Sequence, residues 1–265
     1  MTRQRIGLWA LAVLDGDNGF LTATLIGMAL VELDSRPILA GVLFGLLSYK
    51  PQFGVMIPLV LIASARWRAF TSAAATVIVL TIVTTLAFGP DIWRAFLDSL
   101  PFTREVVLEQ GGTGWYKLQT VLSWVRMWGG SVELAYAIQG AVTVTLAGIL
   151  VWLWRSEAAY PLKAAALVIA SILATPYSLD YDFVALAPAI AFLAADGLAR
   201  GFAPWEKTAL AFLWLMPLAS RTVAEQTLIP LGVPAMVLVL LLVLKRAADE
   251  LGLVARRHSV AQPIK

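Results

Sequence analysis

The chain has 265 residues, 60% of them hydrophobic and only 14% charged, with a mean hydropathy of +0.80 and a net charge of +3. A soluble domain carries about 45–50% apolar and about 25% charged residues, so lipid must be the solvent for most of this surface. The sequence contains no cysteine, which rules out disulfides, thiol catalysis and Cys-based metal sites. So small a net charge gives no footprint for nucleic acid.

At the N-terminus Arg3 and Arg5 precede a short apolar run, 6–14, and no small-residue cleavage site follows before Asp15 and Asp17. That reads as part of a helix rather than a removed signal. Further apolar runs cover 20–33, 37–49, 53–65, 69–88, 119–128, 132–154, 163–175, 183–199, 208–220 and 228–244. They are continuous and rich in Ala and Leu, not alternating, so the expected class is all-α rather than a barrel. A crossing takes about 20 residues. Runs 69–88 and 132–154 qualify outright, and 183–199 and 228–244 do so with their flanks. The shorter ones predict broken or re-entrant helices lining a cavity. The expectation is one transmembrane domain over 1–265, with about 8–10 membrane segments. The sole histidine, His258, falls in a polar tail, 246–265, and is expected to be solvated, which leaves no zinc site.

The positive-inside rule gives the runs a direction. Arg66 and Arg68 precede 69–88, so that end is expected in the cytoplasm, together with Arg155, Lys163, Arg200, Lys207, Lys245 and Arg246. The opposite side then receives 89–131, 176–182 and 221–227, with Asp91, Asp98, Glu105, Glu109, Asp180, Asp182 and Glu225. This alternation requires 119–128 to lie in the interface, which Trp124, Arg126 and Trp128 suit. It also makes 37–49 and 53–65 a hairpin with Lys50-Pro51-Gln52 at its tip. The rival is one kinked helix that would bury Lys50 at mid-membrane, where a charge is costly.

Polar clusters therefore converge on the outer face. Asp15-Gly16-Asp17-Asn18-Gly19 is either a plain turn or part of a site. Lys50 either snorkels from a helix end or offers a point charge to a phosphate. Asp180-Tyr181-Asp182 can start a helix, where acids are favoured, or act as a base or sugar-hydroxyl ligand. Arg221 calls for a partner, either Glu225 or an anionic ligand. Gly111-Gly112-Thr113-Gly114 lacks the Gly-Lys-Ser/Thr ending of a P-loop and predicts a mobile stretch. Trp115 and Tyr116 beyond it can stack a sugar or anchor at the interface.

These residues also carry a resemblance. The runs NGFLTATLIG (18–27), RPILAGVLFGLLSYKPQFG (36–54), RWRAF (66–70), GWYKLQ (114–119), ATPYSLDYDF (174–183) and SRTVAEQTLIPLG (220–232) resemble glycosyltransferase family 87. This family includes polyprenyl-phosphate-mannose-dependent mannosyltransferases. The resemblance implies a GT-C fold in a bacterial inner membrane, with the site facing the periplasm; no cofactor and no metal ligand are assigned, and metal dependence stays open. It implies transfer of a hexose, of mannosyl type, from a polyprenyl phosphate donor to a lipid or glycan acceptor, with membrane lipid around the chain. Family members are longer, so the chain looks N-terminally truncated, without the loop that carries their base. The catalytic candidates are then Asp180, Asp182 and Asp17. The substrate-binding candidates are Lys50, Gln52, Asn18, Tyr181, Arg221, Trp115 and Lys117. Two rival classes remain: a transporter or flippase of lipid-linked polar substrates, which would show internal repeats, and a non-catalytic remnant.

Overall fold

The computed structural model describes residues 19–260, which form an all-α bundle. In chain order the helices are α1 (Gly19–Glu32), α2 (Pro37–Leu46), α3 (Met56–Ala63), α4 (Trp67–Phe88), α5 (Asp91–Phe102) and α6 (Val121–Met127). They continue with α7 (Val132–Arg155), α8 (Tyr160–Leu173), α9 (Ala187–Arg200), α10 (Glu206–Leu215), α11 (Pro217–Thr227) and α12 (Gly232–Val260). Among the described residues three stretches are long and apolar enough to cross a membrane: α4, α7, and Asp180–Arg200, in which a 3₁₀ segment leads into α9.

Two equally apolar helices show what the solvent is. In α8 nearly every side chain from Leu162 to Leu173 is buried, and small alanines let α3, α7, α9 and α12 close around it. In α4 the only buried residue is Ala69, while Ile78, Val79, Ile82, Val83 and Leu86 are exposed. A helix that is apolar all round belongs in a core or in lipid. Here α8 takes the first place and α4 the second.

Side-chain bonds sort the helix ends into two groups. One end joins Tyr160 to the Leu30 carbonyl, Arg66 to Asp34, and Arg155 to the Ala63 carbonyl. The other joins Tyr49 to Thr22, Lys50 to Asp182, and Gln139 to the carbonyls that end α8. Between these ends the chain runs back and forth. α2 and α3 are the arms of a hairpin: Asp34 and Arg66 meet at 2.5 Å, so both arms have their free ends on one side. α2 then runs parallel to α4. Ser72 donates to the Ile38 carbonyl, and Gly41 and Gly45 face Ala69–Ala73 and Thr76 in turn. A Cβ at Gly41 would come within 2.3 Å of the Ala69 carbonyl, and one at Gly45 within 2.5 Å of Thr76. This is close small-residue packing of the kind that joins helices in lipid.

Elsewhere the structure corrects the expected boundaries. The run 208–220 is split at Met216–Pro217 into α10 and α11, because Pro217 cannot donate to a continuing ladder. As far as the described residues reach, the stretch beyond 246 continues α12 to Val260, and Arg246 is no loose charge. It pairs with Asp196 and Glu206, both buried, while Arg200 pairs with Asp196 and Glu250. Helix α6 packs one face against the chain while Trp128 stays 65% exposed. Val121, Leu122 and Ser123 are buried, in part against a small second core with Val107, Leu108, Leu118 and Ala135. Gly111–Gly114 closes a hydrogen-bonded turn.

Candidate functional site

The site lies at the end of the bundle that gathers Tyr49, Lys50 and the 3₁₀ segment Asp180–Leu186. Pro51 forces the break that puts Lys50 there. Proline restricts the residue before it to extended backbone, and Lys50 accordingly leaves the helical region at φ −125°, ψ 71°. The arm therefore interrupts its helix at Lys50 and resumes at Pro51–Gly54, with the lysine directed into the bundle.

Lys50 Nζ donates to Asp182 Oδ1 at 2.6 Å, with the lysine side chain 12% exposed and the aspartate 3%. The second carboxylate oxygen accepts the Leu179 amide at 2.9 Å. The Lys50 ammonium also lies 5.6 Å from the Phe53 ring centroid and 5.7 Å from that of Tyr181, within cation–π range. Two residues earlier Asp180, also buried, takes a bidentate pair from Arg221. Nε reaches Oδ2 at 2.7 Å and Nη2 reaches Oδ1 at 2.8 Å. The guanidinium fork matches a carboxylate in plane, which a lysine cannot do. Arg221 is otherwise half-exposed, at 49% of its side chain. Its hydrogen bond to Asp180 pushes its pKa above the usual arginine range, so it stays charged. The partner expected at Glu225 is not the one found; Glu225 is exposed and Asp180 takes the arginine instead.

Taking ions out of water is costly unless each is paired and its remaining sites are bonded. Both pairs meet that condition, which is why two acids can sit two residues apart in a mostly apolar segment. Their partners come from α11 and the hairpin, so the pairs tie distant parts of the chain to one short segment. Nearby, burial and then the Asp182 charge push the Tyr177 hydroxyl above its ordinary pKa.

A second group of residues holds the segment 174–183 in place, and sequence reasoning singled out none of them individually. Gln119 is fully buried. Its amide N–H donates to the Ser178 carbonyl at 2.9 Å, and Leu118 and Leu179 form an antiparallel bridge. Its side-chain nitrogen donates to the Tyr116 and Ser220 carbonyls, and its oxygen accepts the Gly232 amide. One residue thus fixes positions near Asp180 through its backbone and next to Arg221 through its side chain. Gln139 plays the same part for the end of α8, donating to the Leu173 and Ala174 carbonyls and accepting the Leu122 amide. The available signal was an amide inside an apolar run, since such a group must find partners when buried.

The remaining candidates are distributed unevenly. Tyr181 stands half-buried beside Lys50, and Gln52 is half-buried one residue past Pro51. Lys117 lies 5.7 Å from the Tyr116 ring, in a turn that packs against α11. Trp115 is otherwise engaged. Its indole N–H donates to the Leu108 carbonyl, and Arg126 stacks 4.7 Å from its ring, in the second core. Asp17 and Asn18 lie outside the described residues.

Comparison with known proteins adds one finding. No curated protein and no solved structure matches the chain. The family model for Glycosyltransferase family 87 matches residues 7–176. The matched stretch includes Lys50, Gln52, Lys117 and Gln119, and it ends four residues before Asp180. It spans more than half of the sequence, and the chain therefore belongs to glycosyltransferase family 87.

Proposed function

We propose that this membrane glycosyltransferase moves a hexose, of mannosyl type, from a polyprenyl phosphate donor to a lipid or glycan acceptor on the outer face of the membrane. The observation that carries the proposal is the two cations held on buried acids, Lys50 on Asp182 and Arg221 on Asp180, side by side on one short segment. In transfer, the acceptor hydroxyl attacks the anomeric carbon and the carbon–oxygen bond to the phosphate breaks. The phosphate leaves with the electron pair, and a base takes the hydroxyl proton. A departing phosphate needs positive charge held ready for it in a partly dry site. Lys50 retains two N–H donors after binding Asp182, and Arg221 retains the outer edge of its fork.

Asp180 and Asp182 take the role of holding these cations. Each is buried and already accepts from a cation and a backbone amide, which fits a holding role. Asp17, two residues ahead of α1, is the remaining acid of the three and is assigned the base. Tyr181 and Gln52 line the approach beside Lys50 and Lys117 the side near Arg221, while Asn18 is assigned to the sugar from the sequence alone. Trp115 serves the loop that carries Lys117. The positive-inside pattern supports an outward orientation for this end.

Sealed vesicles of both orientations, supplied with radiolabelled polyprenyl-phosphate mannose and a membrane acceptor extract, test this reading. Label should enter product only where the Lys50 end faces the added donor. Transfer confined to vesicles of the opposite orientation would refute the sidedness, and no transfer in either would refute the activity.

A further inference from the structure

Helix α5 stands apart from the rest of the bundle. None of its residues is buried, although it carries Ile92, Phe96, Leu97 and Leu100 at 37%, 48%, 60% and 46% exposure. At about 100° per residue, Ile92, Trp93, Phe96, Leu97 and Leu100 fall on one stripe about 140° wide. Asp91, Arg94 and Asp98 fall on the opposite face, where Asp91 and Arg94 form an exposed pair. With twelve residues it is about 18 Å long at about 1.5 Å per residue, too short to cross a bilayer.

Its first turn is anchored. Trp93 Nε1 donates to Thr85 Oγ1 at 2.8 Å, between residues eight apart in sequence. In one straight helix they would be separated by about 12 Å along the axis. The chain therefore bends sharply between α4 and α5, at Gly89 with φ +81° and Pro90. Beyond that turn α5 barely touches α4, so it neither folds back along α4 nor extends it. The apolar stripe thus begins where α4 ends, and α4 is a membrane-crossing helix with almost no burial inside the chain.

We propose that α5 is an in-plane membrane anchor, lying at the bilayer surface with Phe96, Leu97 and Leu100 in the acyl region and Arg94 and Asp98 in water. The medium that covers α4 continues over the stripe. A short helix with one apolar and one charged face is the form that binds an interface without spanning it. Its other end leads through Thr103–Glu109 to the turn Trp115–Lys117 and Gln119, so the anchor fixes the height of a segment that builds the site. Within 89–131 the interfacial element is then α5.

The natural lack of cysteine makes the test direct. Full-length Arg94→Cys, Phe96→Cys, Leu97→Cys, Asp98→Cys and Leu100→Cys chains, spin-labelled and reconstituted in phospholipid vesicles, would be read for collisions with oxygen and with a water-soluble nickel chelate. The oxygen-to-nickel ratio should be several-fold higher at 96, 97 and 100 than at 94 and 98. Equal nickel access at all five would mean a solvated helix. Shielding of 96, 97 and 100 from both reagents would mean a protein cover, from another copy or another part of this chain. Either result would overturn the anchor. Circular dichroism of each labelled chain identifies any that has lost its fold.

Discussion

Lys50 and Asp182 show why a residue in this chain cannot be read from its type alone. As isolated letters they offered a phosphate ligand and a base, and folded they are partners. Removing either one strands the other in a site with little access to water, at a cost of about 3–5 kcal/mol. Replacing both with apolar residues of similar size removes that penalty. Lys50→Met and Asp182→Leu are therefore each expected to lower the thermal midpoint of the detergent-solubilised protein. The double variant is expected to recover most of it while remaining inactive. Full recovery of activity in the double variant would show that the pair serves only the fold. The aspartates, Lys50 and Arg221 were visible in the sequence as a cluster, because charges in apolar runs are rare. Their pairing was not visible. Glu225 lies four residues from Arg221 and Asp180 lies 41 away, so local spacing favoured the wrong acid. Gln119 was passed over because its partners are carbonyls and an amide, which carry no sequence label.

At the scale of elements, the hairpin was legible because a charge pattern required it: Arg36 and Arg66 could not sit on opposite faces without burying Lys50 at mid-membrane. The close contact with α4 went unread, although it rests on Gly41 and Gly45 four residues apart, facing Ala69, Ser72, Ala73 and Thr76. Substituting leucine at Gly41 or Gly45 must separate α2 from α4, with an overpacking cost of about 1–3 kcal/mol each. Thermal unfolding of the two variants measures this, and an unchanged midpoint would mean that the two helices do not pack as described. The core contacts of α6 were missed for a physical reason. Trp124, Arg126 and Trp128 look like interfacial residues, yet Arg126 is committed to Trp115 and to the Glu109 and Gly130 carbonyls. Aromatic and basic residues that suit a bilayer surface equally suit a small protein core.

Across the whole molecule, the class was decided by composition, and the burial contrast between α4 and α8 gives it a structural form. The two ends differ in what their charges do. One end ties α9, α10 and α12 together through Asp196, Glu206, Glu250, Arg200 and Arg246. The other sets two cations on two buried acids, with Arg221 half open. Under the proposed function that second end is the catalytic end, and its cations serve the donor phosphate. Donor kinetics of the reconstituted full-length chain test this most directly, comparing wild type with Arg221→Ala at varied polyprenyl-phosphate mannose. A hydrogen bond to a charged group contributes about 1.5–3 kcal/mol, so the account predicts a donor kcat/KM lower by about 10- to 100-fold. A folded Arg221→Ala chain with the donor kinetics of the wild type would contradict it.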